Sequence, residues 1–257
     1  LDWSPDGRYI ASSGTDQRIT LWDAETGTQL WQRGLNSTIS ALAFVPQREL
    51  LSGIDYYSLV LWDYPEGTEI ARSSRSLRVS TALDWTASGG RAVVSGLNDL
   101  EIYALDGQEL ISLGAYSLRD RGVSFGAVAW QPDGSALALA DRNGVVWLWS
   151  PGGDPQNPPE ARSILVHQEQ VHSLAWSPDG RYLASASSDE RVLIWDALRE
   201  VPVAALDHGF TTYGLAWSPD GETLAVVDIR LRLWPTALWH VTIPAEPETL
   251  STEGEGL

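Results

Sequence analysis

Short apolar runs of about four to eight residues alternate with polar turns along almost the whole chain. The clearest stretch is 167–196, in which three apolar runs are separated by the turn Ser-Pro-Asp-Gly at 177–180 and by a tight turn at 188–190. Runs of this length between Pro, Gly, Asp and Ser signals predict consecutive antiparallel strands. A single unit of this kind is a small sheet that cannot bury both of its faces, so we expect it to stack on similar units.

Weaker copies of this stretch recur along the chain. One aromatic residue precedes the first turn of each copy and another closes its third run, and both sets repeat about every 39 to 46 residues. Self-similarity at this period predicts a solenoid or a propeller made of six units. The first set is Trp3, Phe44, Trp85, Trp130, Trp176 and Trp217, and the second is Trp22, Trp62, Tyr103, Trp149, Trp195 and Trp234.

Two short motifs support a resemblance to a known family. The turn Ser-Pro-Asp-Gly occurs three times, and the pair Trp-Asp closes the third run of three units, at 22–23, 62–63 and 195–196. With six units in register, the chain resembles the WD-repeat family, in a form similar to its bacterial members. The resemblance implies an all-β fold, a β-propeller of six four-stranded antiparallel blades. Because rings of this family most often have seven blades, a seven-bladed parent stays an alternative, in which we expect a gap or a strained closure between units 1 and 6.

The resemblance also implies the domain limits. Residues 1–244 are predicted to form the propeller, and 245–257 are predicted to be an acidic disordered tail because they contain little apolar surface to bury. The predicted blades span 1–35, 39–73, 79–114, 123–167, 171–207 and 212–244.

The amino-acid composition excludes several classes of binding partner and of chemical site. The 34 acidic and 17 basic residues give a net charge of -17, which repels phosphate and disfavours nucleic acid. The chain has no long apolar run and no signal segment, so we predict no membrane contact and a cytoplasmic location. There is no Cys, the four His residues show no paired spacing, and no glycine-rich phosphate loop is present. We therefore predict no metal and no cofactor.

The resemblance implies a buried hydrogen-bond chain of His, Ser or Thr, Asp and Trp in each well-formed blade. Unit 5 matches it with His167, Asp189 and Trp195, and either Ser185 or Ser187 supplies the hydroxyl, because alternation along a strand places both on one face. A Ser–His–Asp set is also typical of hydrolases, but these positions are expected to be buried and no Gly-x-Ser-x-Gly turn is present, so we predict no catalytic residue. Partial sets occur in two other units, with His208, Asp228 and Trp234 in unit 6 and Asp16 and Trp22 in unit 1.

A propeller offers loops on a rigid disc, so the predicted function is that of a non-catalytic scaffold, part of a larger chain or complex, that binds a protein or peptide partner. Two alternatives stay open. The first is a propeller subdomain of a peptidase-type enzyme, and the second is a quinone-dependent oxidoreductase, because 23–31 resembles the tryptophan-docking motif of that family. The predicted partner-binding residues lie in loops at one end of the units: Tyr56, Arg121, Arg142, Gln170, Glu190 and Phe210.

Overall fold

The computed structural model of the protein describes residues 1–35, 37–55, 58–74, 80–96, 99–117, 125–150, 162–207, 209–228 and 231–235. Within these ranges the chain forms 23 strands and no helix, and hence no helix that could cross a membrane. The strands form six antiparallel sheets, in each of which neighbouring strands follow one another in the chain. We call these sheets blades 1 to 6. The all-β antiparallel architecture that the repeat pattern predicts is confirmed.

Each of the first three blades has four strands. The strands of blade 1 are β1 (Asp2–Trp3), β2 (Tyr9–Ser13), β3 (Arg18–Asp23) and β4 (Gln29–Gly34). Those of blade 2 are β5 (Ile39–Phe44), β6 (Leu50–Asp55), β7 (Ser58–Asp63) and β8 (Glu69–Arg72). Those of blade 3 are β9 (Ser80–Trp85), β10 (Arg91–Gly96), β11 (Asp99–Asp106) and β12 (Glu109–Ser117).

Blades 4 and 5 also have four strands, whereas three strands of blade 6 lie in the described ranges. The strands of blade 4 are β13 (Phe125–Trp130), β14 (Leu137–Asp141), β15 (Val145–Trp149) and β16 (Arg162–Val166). Those of blade 5 are β17 (Val171–Trp176), β18 (Tyr182–Ser187), β19 (Arg191–Asp196) and β20 (Val201–Asp207). Those of blade 6 are β21 (Gly214–Trp217), β22 (Thr223–Val227) and β23 (Leu231–Pro235). The predicted fourth strand of blade 6 and the predicted acidic tail lie outside the described residues.

The Ser-Pro-Asp-Gly turns join the first strand of a blade to its second. In blade 5 the Ser177 hydroxyl donates to Asp179, while the backbone N–H of Tyr182 donates to Ser177 Oγ at 2.8 Å. Gly180 has a φ of 70°, in the left-handed region where a side chain would be strained. The same bonds recur in the turns at 4–7 and 218–221, so the motif sets the geometry of the hairpin.

The core is divided into clusters, each shared by two neighbouring blades from blade 1 to blade 6. In blades 2 to 6 the aromatic residue at the end of the first strand packs against the preceding blade. The Trp176 indole N–H donates to the Ala129 carbonyl of blade 4 at 3.1 Å, and the Trp217 indole N–H donates to the Ala175 carbonyl of blade 5 at 3.1 Å. Each of these blades therefore buries one face of its sheet against the preceding blade.

The two end blades each keep an exposed face. Trp3 occupies the same repeat position as Trp176, yet it is 51% exposed and Trp176 only 8%. At the other end, Leu233 is 64% exposed and Ala216 is exposed. The equivalent of Ala216 in blade 5 is Ala175, which is covered by Trp217 of the next blade. Within the described residues, blades 1 and 6 thus do not cover each other as neighbouring blades do.

Candidate functional site

The structure brings His167, Ser185 and Asp189 together at the loop end of blade 5. His167 Nδ1 lies 2.9 Å from Asp189 Oδ2, and His167 Nε2 lies 2.8 Å from Ser185 Oγ. Because a carboxylate only accepts hydrogen bonds, we infer that Nδ1 carries the hydrogen in the bond to Asp189. Ser185 is fully buried, and His167 is 2% exposed. This serine is thus buried away from solvent, and the three side chains form one chain of hydrogen-bond contacts.

Asp189 also joins the loop before blade 5 to the turn between β18 and β19. It accepts the backbone N–H groups of Gln168, at 3.0 Å, and Arg191, at 3.1 Å. Burial raises the pKa of Asp189, but the hydrogen bonds from His167 and Gln168 outweigh it and hold the pKa below its ordinary value. The ionised carboxylate is therefore the form that this network stabilises.

The other two predicted members of the unit 5 set lie outside this chain of bonds. The Ser187 hydroxyl donates to the Glu169 carbonyl at 3.0 Å and accepts the backbone N–H of Asp189 at 3.1 Å, so it holds the loop rather than the histidine. The prediction that the network ends on Trp195 is wrong, because its indole N–H is buried without a hydrogen-bond partner. Ser185 Oγ instead lies 2.8 Å from His167 Nε2 and 3.4 Å from the Leu193 carbonyl oxygen.

The partial sets of units 1 and 6 differ from that of unit 5. In blade 1 the Trp22 indole N–H donates to Ser12 Oγ at 2.9 Å, but Asp16 is exposed and, among the described residues, accepts only the backbone N–H of Arg18, at 3.3 Å. The prediction of a buried network is therefore wrong for Asp16. In blade 6 Asp228 is buried, and the backbone of Trp234 pairs with that of Leu224. His208 and the side chain of Trp234 lie outside the described residues.

Four of the predicted partner-binding residues lie on one end of blades 4 to 6. Glu190 is exposed in the turn after β18, where its backbone has a φ of 68°. The backbone carbonyl of Gln170 accepts the backbone N–H of Ser188 at 2.9 Å. Arg142 is exposed in the turn after β14. In the same turn the Gly144 carbonyl accepts the backbone N–H of His167 at 2.8 Å. Phe210 is 43% exposed in the loop before β21. Tyr56 and Arg121 lie outside the described residues.

Sequence reasoning missed Tyr213, an aromatic residue beside this set. Tyr213 is 60% exposed, and its ring lies 5.2 Å from that of His172, whose Nε2 is 2.7 Å from Ser188 Oγ. Burial lowers the pKa of His172, so a neutral imidazole can accept the Ser188 hydroxyl. The signal for Tyr213 was its place in the same loop as Phe210. We call the set of Gln170, His172, Ser188, Glu190, Phe210 and Tyr213 the loop cluster.

Comparison with known proteins agrees with this geometry. The sequence profile of the family described as "WD domain, G-beta repeat" matches residues 1–23 and 160–196. The first range holds β1 to β3, and the second holds β16, the loop with His167, and β17 to β19. These matches support a WD-repeat propeller.

Three relatives illustrate how distant the similarity is. The small ribosomal subunit protein RACK1 of Brassica napus is 30% identical over 115 residues, which are 37% of this chain and 35% of the relative. RACK1z of Arabidopsis thaliana is 27% identical over 149 residues, 58% of this chain and 38% of the relative. The serine-threonine kinase receptor-associated protein of Homo sapiens is 25% identical over 158 residues, 57% of this chain and 41% of the relative. The chain thus spans less than half the length of each.

A carboxylate on β9, the first strand of blade 3, is a further feature that sequence reasoning missed. Asp84 Oδ2 accepts the backbone N–H of Trp130 in blade 4 at 2.6 Å, as Asp2 does for the N–H of Phe44 at 2.8 Å. Burial raises the pKa of Asp84 to about 7, the charge of Asp2 adds to the rise, and the hydrogen bond from Trp130 opposes it. The charged form of Asp84 is therefore the costly one in the folded protein.

Replacing Asp84 by asparagine should raise the free energy of unfolding at pH 8 by about 1 to 4 kcal/mol. With a folded-state pKa of about 7 and an ordinary value of 3.8, the stability that Asp84 contributes is fully present below pH 3.8 and is lost as pH rises to 7. Asparagine stays neutral and keeps an oxygen for the Trp130 N–H. Urea denaturation of both proteins at pH 4, 6 and 8 measures the difference.

The stability advantage of Asp84→Asn should grow from pH 4 to pH 7 and then level off. Asp133→Asn is the matched control, because Asp133 is exposed and its hydrogen bonds with Ser135 lower its pKa. This control should not gain stability with rising pH. An advantage of Asp84→Asn that is the same at every pH would show that the charge of Asp84 is not the cause.

Proposed function

We propose that this protein is a non-catalytic scaffold that binds a protein or peptide through the loop cluster of blades 5 and 6. The observation that supports this proposal is the pair of exposed aromatic side chains, Phe210 at 43% and Tyr213 at 60% exposure, on a loop that the blades hold in place. Aromatic side chains dominate the binding energy of protein interfaces when a partner covers them. An exposed aromatic pair beside polar groups is therefore a suitable anchor for a partner.

The loop is held by bonds that leave the aromatic rings free to bind. The backbone N–H of Thr212 donates to the Ser187 carbonyl at 3.3 Å, and Thr212 itself is fully buried. Its hydroxyl donates to the Phe210 carbonyl at 3.2 Å. A loop with a fixed backbone loses little conformational entropy on binding, which favours affinity. Blade 5, which contains the His167 network, thus supports the surface that binds.

The relatives are in keeping with such a role. Their names describe a protein of the small ribosomal subunit and a protein associated with a kinase receptor, and both therefore act together with other macromolecules. By analogy, we propose that this chain works within a larger complex. The bacterial type and the cytoplasmic location stay predictions, and the relatives named above, from plants and a mammal, do not support the bacterial type.

The double variant Phe210→Ala, Tyr213→Ala should lose binding while it stays folded. Peptides that bind the wild-type protein would be selected from a displayed random library, and their affinities measured by fluorescence anisotropy. We expect the variant to weaken most selected peptides by at least about tenfold, which corresponds to about 1.4 kcal/mol. Because both side chains are exposed, the free energy of unfolding should change by less than about 1 kcal/mol.

The matched control removes two apolar side chains of β12, the last strand of blade 3, that are exposed about as much as Phe210. Ile111 is 41% exposed and Leu113 is 42% exposed, so Ile111→Ala, Leu113→Ala should bind the selected peptides as the wild type does. Equal loss of binding in both double variants would point to general stickiness. Full binding by the Phe210→Ala, Tyr213→Ala variant would place the binding surface elsewhere and overturn the proposal.

A further inference from the structure

The charged residues at the loop end of blades 5 and 6 are mostly acidic. In the described part of this end, one guanidinium group, that of Arg191, stands against five carboxylates, and it forms an ion pair with Asp207 at 3.4 Å. In the adjacent turn of blade 4, the charge of Arg142 is accompanied by the opposite charge of Asp141. The surface around the loop cluster is therefore negative. The five carboxylates belong to Glu169, Asp189, Glu190, Asp207 and Asp228.

Two of these carboxylates, those of Glu169 and Glu190, have no partner among the residues that the structure describes. Both residues are exposed, and neither side chain forms a hydrogen bond or an ion pair within those ranges. At the opposite end of blade 5, which carries the first turn, Asp196 and Glu200 each pair with an arginine, at 3.1 and 2.7 Å. The loop end thus presents two carboxylates whose charge is available to a partner.

These two carboxylates flank the segment that holds the aromatic loop in place. The Ser187 hydroxyl donates to the Glu169 carbonyl at 3.0 Å, and the Ser187 carbonyl accepts the backbone N–H of Thr212, in the loop with both exposed aromatic residues, at 3.3 Å. Glu190 lies three residues after Ser187, in the turn that follows β18. The unpaired carboxylates and the exposed aromatic rings therefore belong to segments that are hydrogen-bonded to one another.

This combination of groups determines the kind of partner that fits. Carboxylates attract a positively charged partner and repel a negative one. Exposed aromatic rings pack against apolar side chains and also attract cations through their faces. We propose that the partner of the loop cluster is a basic peptide segment, whose lysine or arginine side chains pair with Glu169 and Glu190 while an apolar side chain packs on Phe210 and Tyr213. This inference rests on the proposed scaffold function.

The first test is the composition of the peptides that the protein selects. A displayed random library is selected against the wild-type protein in about 50 mM sodium chloride, since salt screens interactions between exposed charges. The peptides that depend on Phe210 and Tyr213 should be enriched at least about twofold in lysine and arginine over the unselected library, and depleted in aspartate and glutamate.

The second test removes the two carboxylates without changing their shape. Glu169→Gln, Glu190→Gln should weaken the selected peptides at least about fivefold in about 50 mM sodium chloride, and less in about 500 mM, as measured by fluorescence anisotropy. Glu25→Gln, Glu222→Gln is the matched control, because it removes the same charge from two exposed residues in turns at the opposite end of the blades. This control should change the affinity by less than about twofold.

A substitution in the peptide completes the cycle. Replacing the lysine and arginine residues of a selected peptide by glutamine should weaken its binding to the wild-type protein, but should have little effect on its binding to Glu169→Gln, Glu190→Gln. Far-UV circular dichroism and denaturation midpoints verify that each variant is folded. Equal effects of the peptide substitution on both proteins would show that the basic side chains pair elsewhere and would overturn the inference.

The remaining results distinguish this inference from the proposed function. Peptides that need Phe210 and Tyr213 but show no enrichment in lysine or arginine would overturn the inference and leave the scaffold proposal standing. Equal weakening by the glutamate variant and its matched control would also overturn it, because the net charge of -17 would then be the cause. Peptides that bind independently of Phe210 and Tyr213 would overturn the proposed function, and this inference with it.

Discussion

Replacing Trp176 by alanine should lower the free energy of unfolding by about 3 to 5 kcal/mol. The side chain is 8% exposed and packs in the cluster between blades 4 and 5, and its indole N–H donates across that interface to the Ala129 carbonyl at 3.1 Å. Alanine would leave a cavity on both blades and a buried carbonyl without its partner. Urea denaturation followed by far-UV circular dichroism measures the loss.

Trp3 is the matched control for this prediction. It occupies the same repeat position, but it is 51% exposed because no preceding blade covers it among the described residues. Trp3→Ala should therefore cost less than about 1 kcal/mol. A loss at Trp3 as large as that at Trp176 would mean that Trp3 is covered in solution, either by blade 6 or by a partner. The comparison thus tests whether inter-blade packing or the aromatic residue itself provides the stability.

The architecture could be predicted because each unit repeats the same local signals. Apolar runs of strand length, turns with Gly180 in the left-handed region, and a period of about 40 residues all point to the same stacked sheets, so errors in one unit are corrected by the others. The segments whose sequence departs from the repeat pattern were harder to predict. The predicted bounds of blade 3 end at Gly114, but β12 continues to Ser117 in the structure, with a shift in register between Ile102 and Tyr103.

The details of the site depended on information that a single strand does not contain. Alternation places Ser185 and Ser187 on one face, but only the position of the loop before β17 decides that Ser185 meets His167 and Ser187 meets Glu169. Likewise, Asp84 is unusual because its carboxylate packs against blade 4, where it accepts the backbone N–H of Trp130. Contacts between distant segments determine both outcomes, and a repeat pattern describes each segment alone.

The same dependence on context distinguishes two aspartates that occupy equivalent turn positions. Asp189 and Asp16 each lie six residues before the tryptophan of a third strand. Asp189 has a side chain that is 5% exposed and bonded to His167, whereas Asp16 is exposed and bonded to a backbone N–H of its own turn. A sequence comparison treats them alike, but the removal of each should have different consequences.

We expect Asp189→Ala to lower the free energy of unfolding by about 2 to 4 kcal/mol and Asp16→Ala to lower it by less than about 1 kcal/mol. Without Asp189, the buried His167 Nδ1–H and the backbone N–H of Gln168 lose their acceptor. Thermal and urea denaturation at pH 7 measure both variants. A double-mutant cycle with His167→Ala should show strong coupling to Asp189, because either single variant already breaks the same bond.

The effect of Asp189 should also depend on pH with a defined sign. Because the folded protein holds the pKa of Asp189 below its ordinary value of 3.8, the stability it contributes is present above that pH and is lost as pH falls through the folded-state pKa. The difference between wild type and Asp189→Ala should therefore shrink below pH 4. A difference that persists unchanged at pH 2.5 would show that the carboxylate acts through shape rather than through its ionised form, and the His167 network would then be secondary to packing in blade 5.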